Sequence, residues 1–364
     1  MVSETLSRPI RAVYLDVLHR LEPICALSPA RLTELAGLCQ IETYTLGQDV
    51  AGAWGGEQAV YLLSGELLLR LGDGSTAVLV GATEAARWPV ARLHSGVIGA
   101  KAITDAELVR IDDDMLDILM TWDQLSAIAS TPPSVGGADR LLLSGAFRVH
   151  SLTTGALSRL PAASIDELLR RFERVRVKAG QIIVSEGEVG DYYYVIESGR
   201  CAVTRQVGGV EMPLAELKAG DAFGEEALVA ECTRNATIRM KSGGVLLRLD
   251  KNDFVELLRE PLLKRVSRTT ADKLVQEGAQ WLDVRYPSEY RRDKLPDAIN
   301  VPLGEIRHAL GVLDSERSYV VYCDSGRRSS AAAFLLSQHG YRSSCLKGGL
   351  RGEVATSGLP SPGA

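Results

Sequence analysis

The chain has 364 residues, of which 46% are hydrophobic and 24% charged, and its formal net charge is −5. A chain of this length is too long to fold around one ordinary hydrophobic core. Two or three domains of a globular protein are therefore expected. The acidic balance, without a basic run, argues against nonspecific nucleic-acid binding. No segment approaches the about 20 apolar residues that a membrane-spanning helix needs.

The sequence has six cysteines without a Cys-x-x-Cys pair, and no paired histidines that could act as ligands accompany them. No metal site is therefore expected. Residues 1–11 lack the apolar core of a secretory signal. Unpaired, scattered cysteines are typical of a reducing compartment, and the expected location is the cytoplasm.

Two regions before residue 265 contain similar segments, which indicates an internal repeat of roughly 135 residues. Residues 61–66, Tyr-Leu-Leu-Ser-Gly-Glu, are similar to residues 195–200, Val-Ile-Glu-Ser-Gly-Arg. Residues 109–112, followed by an apolar-periodic stretch, are similar to residues 247–250. The repeat predicts that the two regions share one fold.

The second copy has the clearer secondary-structure pattern. Ser164 is predicted to cap a helix, with Glu167 completing a capping box. Short alternating segments separated by glycine-containing turns predict strands at residues 174–177, 181–184, 192–197, 200–207, 210–217 and 245–249, before a helix at 252–263. Short strands framed by helices are typical of a β-barrel or jelly roll with flanking helices.

Two composition changes divide the chain. Residues 131–137, Thr-Pro-Pro-Ser-Val-Gly-Gly, form a predicted linker, and a second boundary is predicted at 265–270. The predicted domains are therefore residues 1–135, 136–267 and 268–364.

Residues 220–238 of the second copy contain residue types suited to a phosphorylated ligand. A glycine at 224 permits close backbone approach, the Glu225 carboxylate can accept hydrogen bonds from a ribose, and the Arg234 guanidinium suits a phosphate. The alternative is an ordinary strand–turn–strand with an exposed salt bridge between Glu225 and Arg234.

Phe-Gly-Glu-x-Ala-Leu at 223–228, followed by Arg-Asn-Ala-Thr at 234–237, resembles the phosphate-binding cassette of cyclic nucleotide-binding domains. The resemblance implies that Glu225 binds the ribose 2′-hydroxyl and that Arg234 binds the cyclic phosphate. It implies that the same pocket is lined by Gly224, Ala227, Leu228, Asn235 and Ala236. The expected regulatory ligand is a cyclic nucleotide, cAMP more than cGMP.

The first copy has no such cassette. Residues 81–90 read Gly-Ala-Thr-Glu-Ala-Ala-Arg-Trp-Pro-Val, without the glycine–glutamate and arginine spacing. It is therefore predicted to be a degenerate β-roll with a packing or dimerisation role.

Near the C-terminus, Cys323 lies between a predicted strand at 319–322 and a predicted helix at 329–338. Gly326, Arg327 and Arg328 complete the turn, and Ser329 starts the helix. Backbone N–H groups at a helix start favour an anion, so this setting favours the thiolate and predicts a nucleophile. The alternative is a small buried hydrophobe.

Four segments, at residues 281–285, 297–303, 323–328 and 345–350, resemble in order and spacing a rhodanese (sulfurtransferase) domain over residues 270–352. The resemblance implies an α/β domain with a central parallel sheet and a Cys323 persulfide. Arg327 and Arg328 would orient an anionic donor such as thiosulfate, and Asp283 would support the loop structurally. The six-residue loop from Cys323 to Arg328 separates it from related phosphatases, whose loops are one residue longer.

The favoured hypothesis is a cytoplasmic, cyclic-nucleotide-regulated sulfurtransferase of fold class α+β and α/β, with two tandem β-rolls before the rhodanese-like domain. Its predicted partners are a cyclic nucleotide, an anionic sulfur donor and a thiol acceptor, and a homodimer is also considered. Neither nucleic acid nor a membrane is expected as a partner. One alternative is a non-catalytic nucleotide sensor whose rhodanese domain recruits a partner or carries sulfur. A transcription factor is disfavoured because no helix-turn-helix follows the second roll. The helix at residues 252–263 links the two sites and either couples them or only tethers two independent domains.

Overall fold

The computed structural model describes residues 10–50, 58–92, 96–129, 147–154, 156–207, 210–224, 233–258 and 263–354. The chain divides into two compact units between Met120 and Thr121. This boundary lies inside the helix Asp113–Ala129. The predicted linker at 131–137 lies outside the described residues.

In the first unit, strands form two antiparallel sheets with orders β1-β2-β7-β3 and β5-β4-β6. The strands are β1 Ile10–Ala12, β2 Gln40–Tyr44, β3 Gln58–Ser64, β4 Glu66–Leu71, β5 Thr76–Val80, β6 Val97–Ala102 and β7 Ala106–Asp112. The helical segments are Leu15–Leu18, Ile24–Ala26, Pro29–Leu38, Ala85–Arg87, Val90–Arg92 and Asp113–Ala129. Alternation along β4 buries Leu67 and Leu69 in a core that also contains Val60, Leu62 and Leu108.

The second unit begins with two more antiparallel sheets, with orders β13-β10-β15-β8 and β12-β11-β14-β9. The strands are β8 Glu173–Val177, β9 Ile182–Val184, β10 Tyr192–Ser198, β11 Arg200–Val207, β12 Val210–Lys218, β13 Ala222–Phe223, β14 Thr237–Met240 and β15 Gly244–Asp250. Helical segments are Val149–Thr154, Ala156–Arg159, Ala162–Ser164, Ile165–Arg171 and Lys251–Leu257. All six strands predicted for this copy are present, whereas residues 259–262 of the predicted long helix lie outside the described residues.

The predicted capping box at Ser164 is wrong. Ser164 precedes the helix Ile165–Arg171 with helical backbone angles, φ −88° and ψ −9°, and its side chain makes no capping hydrogen bond. Glu167 instead pairs with Arg170 and Arg171 on the same helix. Local ion pairs within the helix therefore engage the carboxylate that the sequence pattern assigned to the cap.

The same pattern of strand pairing occurs within each of the two β-rich regions. β3 pairs antiparallel with β7, and β10 pairs antiparallel with β15. Both pairs have a register shift near their ends, between Leu62 and Ser64 in one and between Ile196 and Ser198 in the other. The turn that follows contains a glycine with positive φ in each region. The observed pairing therefore follows the internal repeat seen in the sequence.

The C-terminal part contains the predicted parallel sheet, which is confirmed with strand order β16-β20-β19-β17-β18. The strands are β16 Arg265–Val266, β17 Gln280–Asp283, β18 Ile299–Asn300, β19 Ser318–Tyr322 and β20 Arg342–Leu346. Helical segments are Arg268–Gln276, Pro287–Arg292, Leu303–Glu305, Ile306–Ala309, Arg327–Gln338 and Arg351–Val354. Strand β19 is buried along its apolar run, as expected for a strand covered on both faces. Within the described ranges, no helix is long and apolar enough to cross a membrane.

Within the second unit, the C-terminal part contacts the helices that precede β8. The segment Ala162–Ser164 packs against the helix Arg327–Gln338. Asp166, only 2% exposed, accepts a hydrogen bond from Arg307 and pairs with Arg170 at 3.1 Å. The helix that begins beside Cys323 is therefore in contact with the segment leading into the second β-roll.

Candidate functional sites

Cys323 follows β19 and is fully buried, with 0% exposure. Its Sγ accepts hydrogen bonds from the backbone N–H groups of Gly326, at 3.2 Å, and Ser329, at 3.4 Å. Gly326 precedes the helix Arg327–Gln338 with φ +95°, a left-handed conformation that favours glycine. The sulfur is therefore held by N–H groups at a helix start, where the helix dipole favours a negative charge.

A second turn closes over the back of this loop. The N–H of Leu350 donates to the Cys323 carbonyl at 2.9 Å, and that of Arg351 donates to the Asp324 carbonyl at 2.8 Å. A Cβ at Gly349 would lie 2.3 Å from the Cys323 carbonyl oxygen, so this turn requires glycine. The Gly348-Gly349 turn therefore fixes the backbone of the cysteine loop.

The loop is also held by a buried ion-pair network centred on Arg285. Asp283, at 0% exposure, accepts from the backbone N–H of Arg285 at 2.9 Å and from its Nη2 at 2.8 Å. Arg285 Nη1 contacts Asp324, the residue after Cys323, at 3.0 Å and Asp293 at 2.9 Å. Burial opposes the charge of Arg285, but hydrogen bonding to Asp283 and the charge of Asp324 outweigh it and raise its pKa. This geometry supports the structural role predicted for Asp283.

The two arginines of the loop differ in environment. Arg328 is 0% exposed and makes a bidentate pair with Glu289, at 2.8 and 2.9 Å. The sequence-based expectation placed Arg328 against an anionic donor, whereas this pairing directs its guanidinium into the domain interior. Arg327 is half-buried at the first helical position, and its backbone N–H donates to Ser325 Oγ at 3.1 Å. Direct contact of Arg327 with a donor stays a prediction.

Sequence reasoning missed three side chains of this site. Arg285 and Asp324 form the network described above, and the Cys345 Sγ lies 3.2 Å from Ser329 Oγ, which is 3.5 Å from the Cys323 sulfur. The signal for Arg285 was its position directly after the strand-end Asp283. Nothing in the sequence indicates that β20, which contains Cys345, pairs beside β19.

The second site lies in the second β-roll, where Arg234 is 5% exposed. Its Nη1 donates to the Gly224 carbonyl at 2.8 Å, and its Nη2 donates to the Tyr192 carbonyl at 2.8 Å and contacts Asp191 at 3.3 Å. The backbone of Arg234 is bonded as well, to Glu188 through its N–H and to Gly187 through its carbonyl. These contacts hold the guanidinium in one place.

A cavity of about 320 Å³ opens beside Arg234. Gly224, Asn235 and Ala236 line it, as predicted from the sequence. Gly224 has φ +96°, and a Cβ there would lie 2.8 Å from Arg234 Nη1, so glycine is required for the arginine to pack here. The predicted contacts of Glu225, Ala227 and Leu228 lie outside the described residues. A cavity of this volume is at the small end of those that bind small molecules.

Comparison with protein families gives two matches. Residues 174–260 match the cyclic nucleotide-binding domain, and residues 267–354 match the rhodanese-like domain. The first match contains Arg234 and the cavity beside it, and the second contains Cys323 and its loop.

Among curated proteins, the chain is similar to the cAMP-dependent protein kinase regulatory subunit of Schizosaccharomyces pombe, with 32% identity over 36% of this chain and 34% of that protein. It is also similar to an uncharacterized protein of Mycobacterium tuberculosis, with 34% identity over 42% of this chain and 29% of that protein. The chain spans about a third of the length of the curated relatives it matches. Among solved structures, the Thermus thermophilus catabolite activator protein has 33% identity over 26% of this chain and 46% of that chain, with a TM-score of 0.25.

Proposed function

We propose that this protein, which contains a cyclic nucleotide-binding domain at residues 174–260 and a rhodanese-like domain at 267–354, is a sulfurtransferase regulated by a cyclic nucleotide. The observation that supports the transferase activity best is the Cys323 sulfur held by two backbone N–H groups at a helix start. We further propose the division into domains 1–135, 136–267 and 268–364, the first being a degenerate β-roll.

The proposed reaction has two displacement steps at sulfur. The Cys323 thiolate attacks the outer sulfur of thiosulfate, a new S–S bond forms, and the S–S bond of thiosulfate breaks to release sulfite. An acceptor thiolate then attacks the outer sulfur of the Cys323 persulfide and leaves Cys323 as the thiolate. The N–H groups of Gly326 and Ser329 stabilise the charge that Cys323 has before the first step and after the second.

The transfer step is tested by intact-protein mass spectrometry after treatment with thiosulfate. We expect one added sulfur, lost in Cys323→Ser and retained in the control Cys25→Ser. The pKa of the Cys25, Cys39 and Cys201 thiols is raised to about 11, principally by burial, so at pH 8 only about one in a thousand of each is thiolate. Sulfur addition that persists in Cys323→Ser contradicts the assignment.

The nucleotide part of the proposal is supported by Arg234 and the cavity beside it. A fixed guanidinium with little exposure suits a cyclic phosphate, because an arginine fork matches phosphate oxygens and is weakly hydrated. We propose that Glu225 binds the ribose hydroxyl and that Ala227 and Leu228 complete the pocket. The similarity to cAMP-dependent regulatory subunits supports cAMP as one ligand of this pocket.

Contacts within the second unit support coupling between the two sites. The helix Lys251–Leu257, which follows the roll, contacts Arg171 through Asp253 at 2.7 Å and Glu256 at 3.0 Å. Arg171 ends the helix Ile165–Arg171, and Asp166 at the start of that helix bonds to Arg307 of the rhodanese-like domain. A shift of the helix after the roll would therefore reach the domain that contains Cys323 through packed elements.

A row of aromatic rings runs through the same region. Ring centroids are 5.2 Å apart for Trp122 and Phe147, 5.7 Å for Phe147 and Phe172, 6.4 Å for Phe172 and Tyr193, and 4.9 Å for Tyr193 and Phe254. Tyr193 follows the residue whose carbonyl binds Arg234. Interiors this closely packed transmit displacement, so the row supports coupling between the strand that contacts Arg234 and the helix Lys251–Leu257.

Coupling is tested by sulfurtransferase kinetics with and without saturating nucleotide. We expect a change of roughly 5–150-fold in donor affinity, the range of a typical coupling free energy. Asp166→Asn should reduce this response and leave nucleotide affinity measurable. Asp272→Asn, which removes an ion pair with Arg268 away from the contact, is the matched control. If wild-type protein binds nucleotide but its kinetics do not change, the two domains are only tethered and coupling is contradicted.

A non-catalytic sensor, whose rhodanese-like domain binds a partner or carries sulfur, is the second candidate. The full burial of Cys323 favours it, because a donor must open the loop before it reaches the sulfur. A thiosulfate:cyanide assay separates the two functions. Turnover that depends on Cys323 supports the enzyme, whereas persulfide formation without turnover supports a carrier.

A further inference from the structure

Arg205 occupies an unexpected position in β11 of the second roll. Alternate residues of a strand face the same side, and Cys201 and Val203 of β11 belong to or pack against the apolar interior. Arg205 continues this series and lines the same cavity as Arg234. Arg205 therefore brings a guanidinium to the exposed end of a series that begins with apolar side chains.

The first unit shows the apolar arrangement at the corresponding positions. In β4, which follows the same Ser-Gly turn, the alternate residues are Leu67, Leu69 and Leu71. Leu67 pairs across the sheet with Leu79, as Cys201 does with Leu217. Leu71 of the first region, which has no cassette, therefore corresponds to Arg205 of the second, which lines the cavity beside Arg234.

Within the ranges that the structure describes, Arg205 has one ion pair, and that pair is loose. Its Nε lies 3.9 Å from Glu186 Oε1, which is beyond hydrogen-bond distance, and the other oxygen of Glu186 accepts from the backbone N–H of Gln206 at 2.8 Å. The Arg205 side chain is 47% exposed, whereas that of Arg234 is 4% exposed. Arg205 is therefore at the solvent side of the cavity, with donors available to a ligand.

We infer that Arg205 contacts the base edge of the bound nucleotide and makes cyclic GMP a ligand of this pocket alongside cyclic AMP. This inference rests on the proposed nucleotide function, in which Arg234 binds the phosphate. β11 pairs with β14 at Thr204 and Thr237, which places Arg205 beside the Asn235–Ala236 end of the cassette. The apolar Val203, Leu214, Ala215 and Leu217 line the cavity and suit the faces of a purine.

The chemistry of the base edge favours guanine. A guanidinium has only hydrogen-bond donors, arranged as a fork. Guanine presents two acceptors on one edge, N7 and O6, whereas adenine presents the N7 acceptor beside an N6 amino donor. Arg205 can therefore make two hydrogen bonds to guanine and one to adenine, so it shifts selectivity toward cyclic GMP.

Calorimetric titration with cyclic GMP, cyclic AMP and cyclic IMP tests the inference. Arg205→Leu, which introduces the residue type of the first unit, should lower the cyclic GMP to cyclic AMP affinity ratio by about tenfold. Cyclic IMP keeps O6 and N7 but lacks the 2-amino group, so it should follow cyclic GMP in both proteins. Arg239→Leu on the neighbouring strand, outside the cavity lining, should leave the ratio unchanged.

The outcomes separate this inference from the proposed function. Equal weakening of all three nucleotides in Arg205→Leu would indicate a phosphate contact and overturn base recognition, as would no change at all. If Arg205→Leu fails to fold, Arg205→Gln tests the same ratio with a polar side chain. Wild-type protein that binds none of the three nucleotides would instead reject the nucleotide function itself.

Discussion

The two β-rich regions show how a similar pattern of strand pairing can be lined by different side chains. In the first, Leu67 and Leu69 pack with Ala86 and Val90, which come from the segment equivalent to the cassette. In the second, the corresponding strand contributes Cys201 and Val203, and the cassette region contributes Arg234 beside a cavity of about 320 Å³. The strand framework alone does not form a binding site. The side chains of one strand and of one connecting segment determine whether a site can form.

The arginines of the two connecting segments are engaged differently. Arg87 in the first unit pairs with Glu22 at 2.9 Å and donates to the carbonyl of Arg20 at 3.1 Å. A cavity of about 360 Å³ lies beside Arg87 and is lined by Leu62 and Ala86 of the core. Arg234 is held mainly by backbone carbonyls, whereas Arg87 pairs with the Glu22 carboxylate. The positive charge of Arg234 is therefore less neutralised than that of Arg87. We therefore expect anion binding at Arg234 and not at Arg87.

The largest expected effect comes from removing Arg234. In Arg234→Ala the cyclic phosphate loses its buried charged partner, which costs roughly 2–5 kcal/mol of binding free energy, well over tenfold in affinity. The measurement is titration with cAMP and cGMP, and Arg87→Ala in the first unit is the matched control. Equal affinity in Arg234→Ala and wild type would contradict the contrast between the two rolls.

The apolar core around Leu67 in the first unit should contribute to stability and not to nucleotide binding. Leu67→Ala removes a fully buried side chain and should lower the free energy of unfolding of the first unit by roughly 2–5 kcal/mol. Chemical denaturation measures this loss, and nucleotide titration of the same variant should give the wild-type affinity. A loss of nucleotide affinity without a loss of stability would show that the first roll takes part in binding.

The smallest expected effect is the pH dependence of stability that comes from Cys201, a buried cysteine of β11. Burial raises the pKa of Cys201 from 9.0 to about 11, so folding favours the thiol. The contribution to stability is complete below pH 9 and is lost as the pH rises toward 11, by on the order of 1–2 kcal/mol. Cys201→Val should remove this part of the pH dependence, measured as unfolding free energy between pH 8 and 11. An unchanged pH profile would contradict the raised pKa.

Much of the fold could be predicted from sequence because it depends on local patterns. The strands of the second roll follow period-two alternation between glycine turns, and the Cys323 turn follows from an apolar strand before a helix. The helix after Ser164 was predicted correctly, but its capping box was not, because Glu167 pairs with neighbouring arginines. Side chains that meet across the chain were missed: Asp324 is 39 residues from Arg285, and nothing local indicates that they bond.

The Cys323 site shows the same limit. Cys323 was predicted to be a nucleophile from the turn sequence, and this stays a prediction. The pairing of Arg328 with Glu289 depends on how the helix Pro287–Arg292 packs and was missed. The position of Arg205 at the cavity was missed for a related reason. An arginine in an otherwise apolar alternating strand resembles an ordinary exposed residue until the register of β11 and β14 is known.

The closed turn over Cys323 has a consequence for the lifetime of a persulfide formed there. Persulfides in solution are lost to any small thiol that reaches the outer sulfur, at a rate set by the thiol concentration. Because Cys323 is fully buried in a loop whose backbone the Gly348-Gly349 turn fixes, a sulfur atom stored on it would be shielded from that exchange. The decay of the persulfide should then follow the opening rate of the loop and become independent of glutathione concentration. The sulfur would pass only to a partner that is able to open the loop.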